Sequence, residues 1–133
     1  MCELAGGGLT LLRCIDSVNV LESEAAGDEK SGLQILARAL SAPARQIAEN
    51  SAVDAGVVVA RMRESAGNIG FDAARNEYVD LLEAGIVDPT KVVRIALENA
   101  VSVAGLLLLT EATMTELPEE DKHSHPEQAG MPM

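Results

Sequence analysis

The chain has 133 residues, 47% of them hydrophobic, and its 21 acidic and 10 basic side chains give a formal net charge of −11. This length suits one domain with a buried core, and the negative field opposes binding to nucleic acid or to an anionic membrane surface. Two cysteines, an N-terminus without basic residues and a short apolar run at 103–109 argue against a disulfide scaffold, a signal peptide and a membrane span. The composition therefore predicts a soluble, cytoplasmic protein.

The first predicted helix follows the glycines at 6–8 and carries an apolar stripe at three-residue spacing, made of Leu9, Leu12, Ile15 and Val18. The acidic stretch 22–30 predicts a surface loop. A second helix is predicted over 31–50, with a kink or break near Ser41, because Pro43 removes a backbone donor and clashes with the preceding turn.

A third helix is predicted to begin at Asp54, a good N-cap, and to continue through Val57, Val58 and Met62. Residues 66–70 predict a turn, and the segment 69–82 predicts a short hairpin that then becomes helical. The last helix has the clearest start, with Asp88 as N-cap and Pro89 at the first helical position.

The apolar side of this last helix contains Val92, Ile95, Ala96, Asn99, Val103 and Leu106. The run 106–109 is apolar all round, which predicts burial on several sides. Residues 112–117 alternate threonine with apolar residues and predict a C-terminal strand. Residues 116–133 hold five acids and one base, and the segment 119–133 is predicted to be a disordered acidic tail. The fold class is therefore mainly α, with a short hairpin and a C-terminal strand.

The residues alone identify no active site. The triple glycine could bring a ligand close to the backbone, although a flexible lead-in to the helix is the commoner use of such a sequence. Asp88 serves most simply as a helix cap and Asp72 as a turn residue. His123 and His125 could hold a metal ion weakly, but a solvated tail explains them better, and no catalytic triad can be assembled from the sequence.

Read together, the same residues resemble the group I chaperonins, the 60 kDa chaperonin family of bacteria and organelles. The resemblance extends from Gly6 to Pro118, and its most specific part surrounds Asp88. The matching stretches are Gly6-Gly7-Gly8-Leu9-Thr10-Leu11-Leu12-Arg13, Ala37-Arg38-Ala39-Leu40-Ser41-Ala42-Pro43-Ala44-Arg45-Gln46-Ile47, Gly67-Asn68-Ile69-Gly70-Phe71-Asp72-Ala73-Ala74, Gly85-Ile86-Val87-Asp88-Pro89-Thr90-Lys91-Val92-Val93-Arg94 and Thr113-Met114-Thr115-Glu116-Leu117-Pro118.

The resemblance implies that residues 1–118 form a helical bundle, the C-terminal half of an ATP-binding equatorial domain. It implies that Gly7 approaches the nucleotide where a side chain would intrude. Asp72, Ala73 and Ala74 would line the adenine, and Asp88 would accept hydrogen bonds from the ribose hydroxyls. The cofactor would be ATP, with magnesium bound by segments that lie upstream of the triple glycine in family members and are not in this sequence.

The implied partners are other subunits of a ring homo-oligomer, with unfolded proteins and a co-chaperonin bound through domains that this sequence lacks. No catalytic residue is assigned. Since the phosphate-binding and water-positioning segments are also missing, we expect no ATP hydrolysis by this chain alone. Two alternatives stay open: a stand-alone helical interaction module, and a truncated, non-functional piece that does not bind nucleotide.

Overall fold

The structure, a computed structural model, describes residues 3–115, which form helices and short antiparallel strand pairs. The mainly α fold predicted from the sequence is confirmed. In chain order the elements are β1 (Glu3–Ala5), α1 (Leu9–Glu24), α2 (Gly27–Ala39), α3 (Ala42–Asn50), α4 (Ala55–Glu64), β2 (Ile69–Asp72), β3 (Glu77–Asp80), β4 (Val87–Pro89) and α5 (Thr90–Leu108).

The apolar stripe of α1 is the centre of the core. Its four residues are 1–8% exposed and pack in one cluster with buried side chains of α3, α4 and the hairpin, among them Ala48, Val58, Met62 and Leu81. The three-residue spacing predicted this inward face correctly. The resemblance to half of an equatorial domain also implies that the apolar face of Leu9–Val18 stays exposed without the other half. This expectation is wrong, because α2, α3 and α4 supply enough apolar surface to bury that face.

A break at Leu40 and Ser41 separates α2 from α3, as Pro43 predicted. Proline fits the first turn of α3, where its missing N–H would have no helical partner. The helix before the break begins earlier than predicted, at Gly27, so the expected loop 22–30 is reduced to Ala25 and Ala26. That part of the chain nevertheless lies at the surface.

Asp54 caps α4, and its Oδ1 accepts the Val57 N–H at 3.1 Å, as predicted. The helix runs through Val57, Val58 and Met62 as predicted. Val58 and Met62 are 1% exposed and face the core, whereas Val57 is 62% exposed and lies on the outer side. Adjacent positions on a helix are about 100° apart, and Val58 and Val59 occupy the side that faces the core.

The predicted hairpin is formed by β2 and β3, with Phe71 opposite Tyr78 and Asn76 in the left-handed region of the turn. The Arg61 guanidinium lies 4.2 Å from the centre of the Tyr78 ring, which ties α4 to the hairpin. After β3 the chain makes turns over 81–85 and does not become helical. The Asp80 carboxylate accepts the N–H groups of Leu82 and Glu83 and holds the first of these turns.

β4 pairs with β1, and this pairing corrects the predicted start of the last helix. Asp88 lies opposite Leu4 in extended conformation, Pro89 is the N-cap residue, and α5 starts at Thr90 without a side-chain capping bond. The predicted C-terminal strand is not formed over 112–115, and neither of the two-stranded sheets within residues 3–115 includes that segment. Residues 116 and 117, the acidic tail 119–133, His123 and His125 lie outside the described residues.

α5 has no buried residue, although it is the most apolar helix. Leu106, Leu107, Leu108 and Leu109 are 54–86% exposed, so the described residues do not provide the burial predicted for this run. Within residues 3–115, no helix is both long and apolar enough to cross a bilayer. The end of α5 is therefore an apolar surface without a partner among these residues.

We expect the purified chain to self-associate through the end of α5, because apolar surface of this kind is removed from water by association. Replacing Leu106, Leu108 and Leu109 by glutamine should shift the sedimentation profile toward the monomer. The matched control is Ile35→Gln on α2, which removes an isolated apolar side chain that is 66% exposed. A sharp cooperative melt from a clean monomer of the unaltered chain would contradict the expectation.

Candidate functional site

The triple glycine forms a tight turn between β1 and α1. The Gly6 N–H donates to the Ile86 carbonyl at 2.9 Å, and the Thr10 hydroxyl donates to the Ala5 carbonyl at 2.8 Å. Gly7 and Gly8 have φ values of 62° and 78°, in the left-handed region where L-residues other than glycine are strained. Two successive residues of this kind turn the chain from the strand into the helix.

Each side of this turn packs closely against other parts of the chain. A Cβ added at Gly8 would lie 2.7 Å from the Ala44 backbone nitrogen in α3. A Cβ at Gly7 would make ordinary contacts of 3.6 Å with a Leu81 methyl group and the Phe71 carbonyl. The positive φ therefore explains why position 7 is a glycine. A side chain at this position would point toward the hairpin.

Asp88 is brought to the turn by the pairing of β1 with β4. Its Oδ2 lies 3.4 Å from the position that a Cβ on Gly6 would take. The side chain of Asp88 is thus held beside the glycine backbone, in a residue that is neither fully buried nor fully exposed. This proximity depends on strand pairing and could not be derived from the helix-cap interpretation.

Gly7, Gly8 and Asp88 share a cleft of about 190 Å³. Sites that enclose a small molecule usually measure roughly 300–1,000 Å³, so this cleft is too small to surround a nucleotide by itself. The structure brings two of the predicted positions, Gly7 and Asp88, together. The other lining residues are Ala5, Thr10, Leu11, Pro43, Ile47 and Val93.

Asp72, Ala73 and Ala74 do not line that cleft. They form the turn after β2, where the Asp72 Oδ1 accepts the Ala74 N–H at 2.9 Å and the Arg75 N–H at 3.3 Å. The Asp72 Oδ2 lies 3.8 Å from the Arg75 Nε. Asp72 therefore acts as a turn residue in this structure. The carbonyl of the neighbouring Phe71 lies 3.6 Å from the position that a Cβ on Gly7 would take.

Sequence reasoning missed the contribution of α3 and α5 to the cleft. Pro43 and Ile47 are four positions apart and lie on one face of α3, while Val93 comes from the first turn of α5. The four-residue spacing was visible in the sequence, but nothing local indicated which element it faces. Within 3–115, no group of three or more metal-ligating side chains occurs.

Comparison with known proteins gives consistent matches. A family model described as the TCP-1/cpn60 chaperonin family matches residues 2–118. Chaperonin GroEL 5 of Bradyrhizobium diazoefficiens is 68% identical over 122 residues, which cover 92% of this chain and 23% of that protein. The open-state monomer of a group II chaperonin from Methanococcoides burtonii superimposes with a TM-score of 0.75 at 21% identity, covering 81% of this chain and 28% of that one.

The close approach of Gly8 to α3 predicts an unusually costly Gly8→Ala substitution. The left-handed conformation alone costs about 1–2 kcal/mol for alanine, and displacing the Ala44 backbone adds roughly 1–3 kcal/mol. Gly27→Ala is the matched control, because Gly27 has a φ of 61° but no atom within 4 Å of an added Cβ. Urea denaturation should show the larger loss of unfolding free energy for Gly8→Ala; equal losses would mean that Ala44 yields without cost.

Proposed function

This chain belongs to the TCP-1/cpn60 chaperonin family, and from that premise we propose that it forms the nucleoside-facing wall of the ATP site in an ATP-dependent protein-folding chaperonin. The family predicted from the sequence is confirmed by the match over residues 2–118 and by the 68% identity. The chain spans about a quarter of the length of the curated relative that it matches, 23%. The activity of a whole chaperonin is therefore part of this proposal.

The observation that carries the proposal is the Asp88 carboxylate beside the glycine turn. A carboxylate that is only partly buried accepts hydrogen bonds from vicinal hydroxyls, and such charge-assisted bonds are stronger than neutral ones. The ribose of ATP offers two hydroxyl donors of this kind. The glycine backbone lets a ligand approach at Gly7 and Gly8, and the apolar side chains of Ile47 and Val93 form the side of the same cleft.

The Asp88 carboxylate is an acceptor and suits the hydroxyl donors of a ribose, not the phosphates of a nucleotide. Asp88 would hold the ribose, and the Asp72–Ala74 turn, which lies outside the cleft, would lie along an adenine that extends from it. The 190 Å³ of the cleft leave the phosphates outside it. ATP would supply the free energy of hydrolysis, with its phosphates and magnesium held by other segments of a chaperonin.

The same proposal extends to partners and location. We assign the exposed end of α5 to contacts with further chaperonin sequence, because four consecutive leucines, 106–109, are more than half exposed. We also propose assembly into a ring of like subunits, and action on unfolded proteins together with a co-chaperonin in the cytoplasm; family membership supports this part of the proposal. The stand-alone interaction module is the second candidate, favoured by the same apolar surface and by the small cleft.

Substituting Asp88 by alanine should weaken nucleoside binding. Loss of hydrogen bonds to a charged group costs roughly 1.5–3 kcal/mol, which corresponds to a dissociation constant about 10–150 times higher. The measurement is a titration of the isotopically labelled chain with ADP, followed by the amide signals of Gly7, Asp72 and Asp88. Asp28→Ala, in the exposed first turn of α2, removes the same charge away from the cleft and should leave the affinity unchanged.

Two outcomes of this titration would count against the proposal: an unchanged affinity in Asp88→Ala, or shifts confined to residues away from the glycine turn. Complete absence of binding by the unaltered chain would favour the interaction module. An effect of Asp28→Ala equal to that of Asp88→Ala would indicate a general charge effect.

We expect no ATP hydrolysis by the chain itself, because phosphoryl transfer depends on groups that position the attacking water and neutralise charge at the transferred phosphate. The cleft contains one carboxylate and no cationic side chain. Phosphate release from pure protein should equal that of a protein-free blank, with and without magnesium. Release above the blank that survives further purification would refute this expectation.

A further inference from the structure

Arg13 belongs to the motif that begins with the triple glycine, but it does not line the cleft beside the glycines. It lies in the first half of α1 and is neither fully buried nor fully exposed. Its Nη1 donates to the Arg63 carbonyl at 3.4 Å, and its Nη2 donates to the carbonyls of Ser65 and Gly67, at 2.5 and 3.2 Å. One guanidinium group therefore connects α1 to the end of α4 and to the turn that precedes β2.

The carbonyls that Arg13 contacts lie where the hydrogen bonding of α4 ends. The last carbonyls of a helix have no partner within it, and a cation at this end also interacts favourably with the helix dipole. Gly67 has a φ of 63°, and no atom lies within 4 Å of a Cβ added there, so its turn is not supported by packing at that side. The bonds from Arg13 therefore hold the path of the chain between α4 and β2.

β2 leads from this turn to the Asp72–Ala74 turn. The strand is four residues long, so its two ends are only about 10 Å apart. Pairing with β3 makes the hairpin one unit, and the buried side chains of Phe71 and Leu81 attach it to the core. Loss of the Arg13 bonds should thus shift the hairpin without unfolding it, and the shift would reach the turn 72–74.

The helix that carries Arg13 also carries the glycine turn at its start. α1 begins directly after Gly8, and a Leu9 methyl group lies 3.5 Å from the position that a Cβ on Gly70 would take in β2. The Asp88 carboxylate lies beside the same turn. α1 is therefore the common support of the hairpin on one side and of the glycine turn on the other.

We infer, on the basis of the proposed function, that Arg13 is a positioning residue of the nucleoside site. It holds the turn 72–74, which would lie along the adenine, in place relative to the Asp88 carboxylate, which would hold the ribose. Arg13 would not contact the nucleoside itself, because it lies outside the cleft. Its loss should weaken the contribution of the base to binding and leave the contribution of the sugar.

The test compares ADP with ribose 5-phosphate, which has the sugar and no base, in NMR titrations of the full chain. In R13Q the affinity for ADP should fall about fivefold or more, while that for ribose 5-phosphate should change less than about twofold. R63Q is the matched control, because the Arg63 side chain is 48% exposed and has only a 3.9 Å ion pair with Asp16. It removes the same charge and should leave both affinities unchanged.

Two further variants separate positioning from a general loss of stability. Asp54→Ala removes the cap at the other end of α4, so it should lower the unfolding free energy without changing the ratio of the two affinities. R13K keeps the charge but loses the planar fork that reaches several carbonyls. It should show the same selective loss of ADP affinity to a smaller degree, and it carries the test if R13Q does not fold.

Amide hydrogen exchange gives a readout that needs no ligand. In R13Q the slowly exchanging amides of the hairpin, 69–80, should exchange about fivefold faster, whereas those of α3 should not change. If the unaltered chain does not bind ADP, the proposed function fails, and the exchange rates alone decide whether Arg13 positions the hairpin. The inference is overturned by equal losses of ADP and ribose 5-phosphate affinity in R13Q, by the same selective loss in Asp54→Ala, or by unchanged exchange in the hairpin.

Discussion

The contact on which most of this structure depends is the approach of the Gly8 backbone to α3. An added Cβ would meet the Ala44 nitrogen at 2.7 Å, a distance at which backbone atoms must move. Because glycine has no Cβ, the first residue of α1 can lie directly against the first turn of α3. The position of α1 then decides which face of this helix is buried and which elements line the cleft beside the glycines.

The first strand of the chain and the strand that precedes α5 meet at the glycine turn. β1 leads into the glycines, and β4, which follows the hairpin, pairs with β1 and places Asp88 beside Gly6. The strands are three residues long, so they contribute few hydrogen bonds. They matter because they fix the position of a carboxylate at a backbone turn that can admit a ligand. The β1–β4 pairing thus holds the Asp88 carboxylate next to the turn whose Gly8 packs against α3.

Residues 3–115 combine a well-buried core with surfaces that have no partner among those residues. The stripe of α1 is 1–8% exposed, while the apolar end of α5 is exposed and the cleft beside the glycines is smaller than an enclosing site. The proposed function accounts for such surfaces, because further chaperonin sequence would complete the site and cover the end of α5.

The sequence by itself determined the features that depend on neighbouring residues. These are the α1 stripe, the break before Pro43, the Asp54 cap, the hairpin and, through its motifs, the family. Propensity, capping and periodicity act over a few positions, so one segment is enough to reveal them.

Tertiary structure alone decided that Asp88 is a strand residue and not a cap, and that Asp72 stays outside the cleft that holds Gly7. It also decided that α5 stays exposed and that the strand predicted at 112–117 is not formed over its described part. A strand exists only where another strand supplies hydrogen bonds, and an apolar helix is buried only where another surface meets it. The strand or surface that such an element needs as its partner is distant in sequence or lies outside the described residues, so no local pattern could specify it.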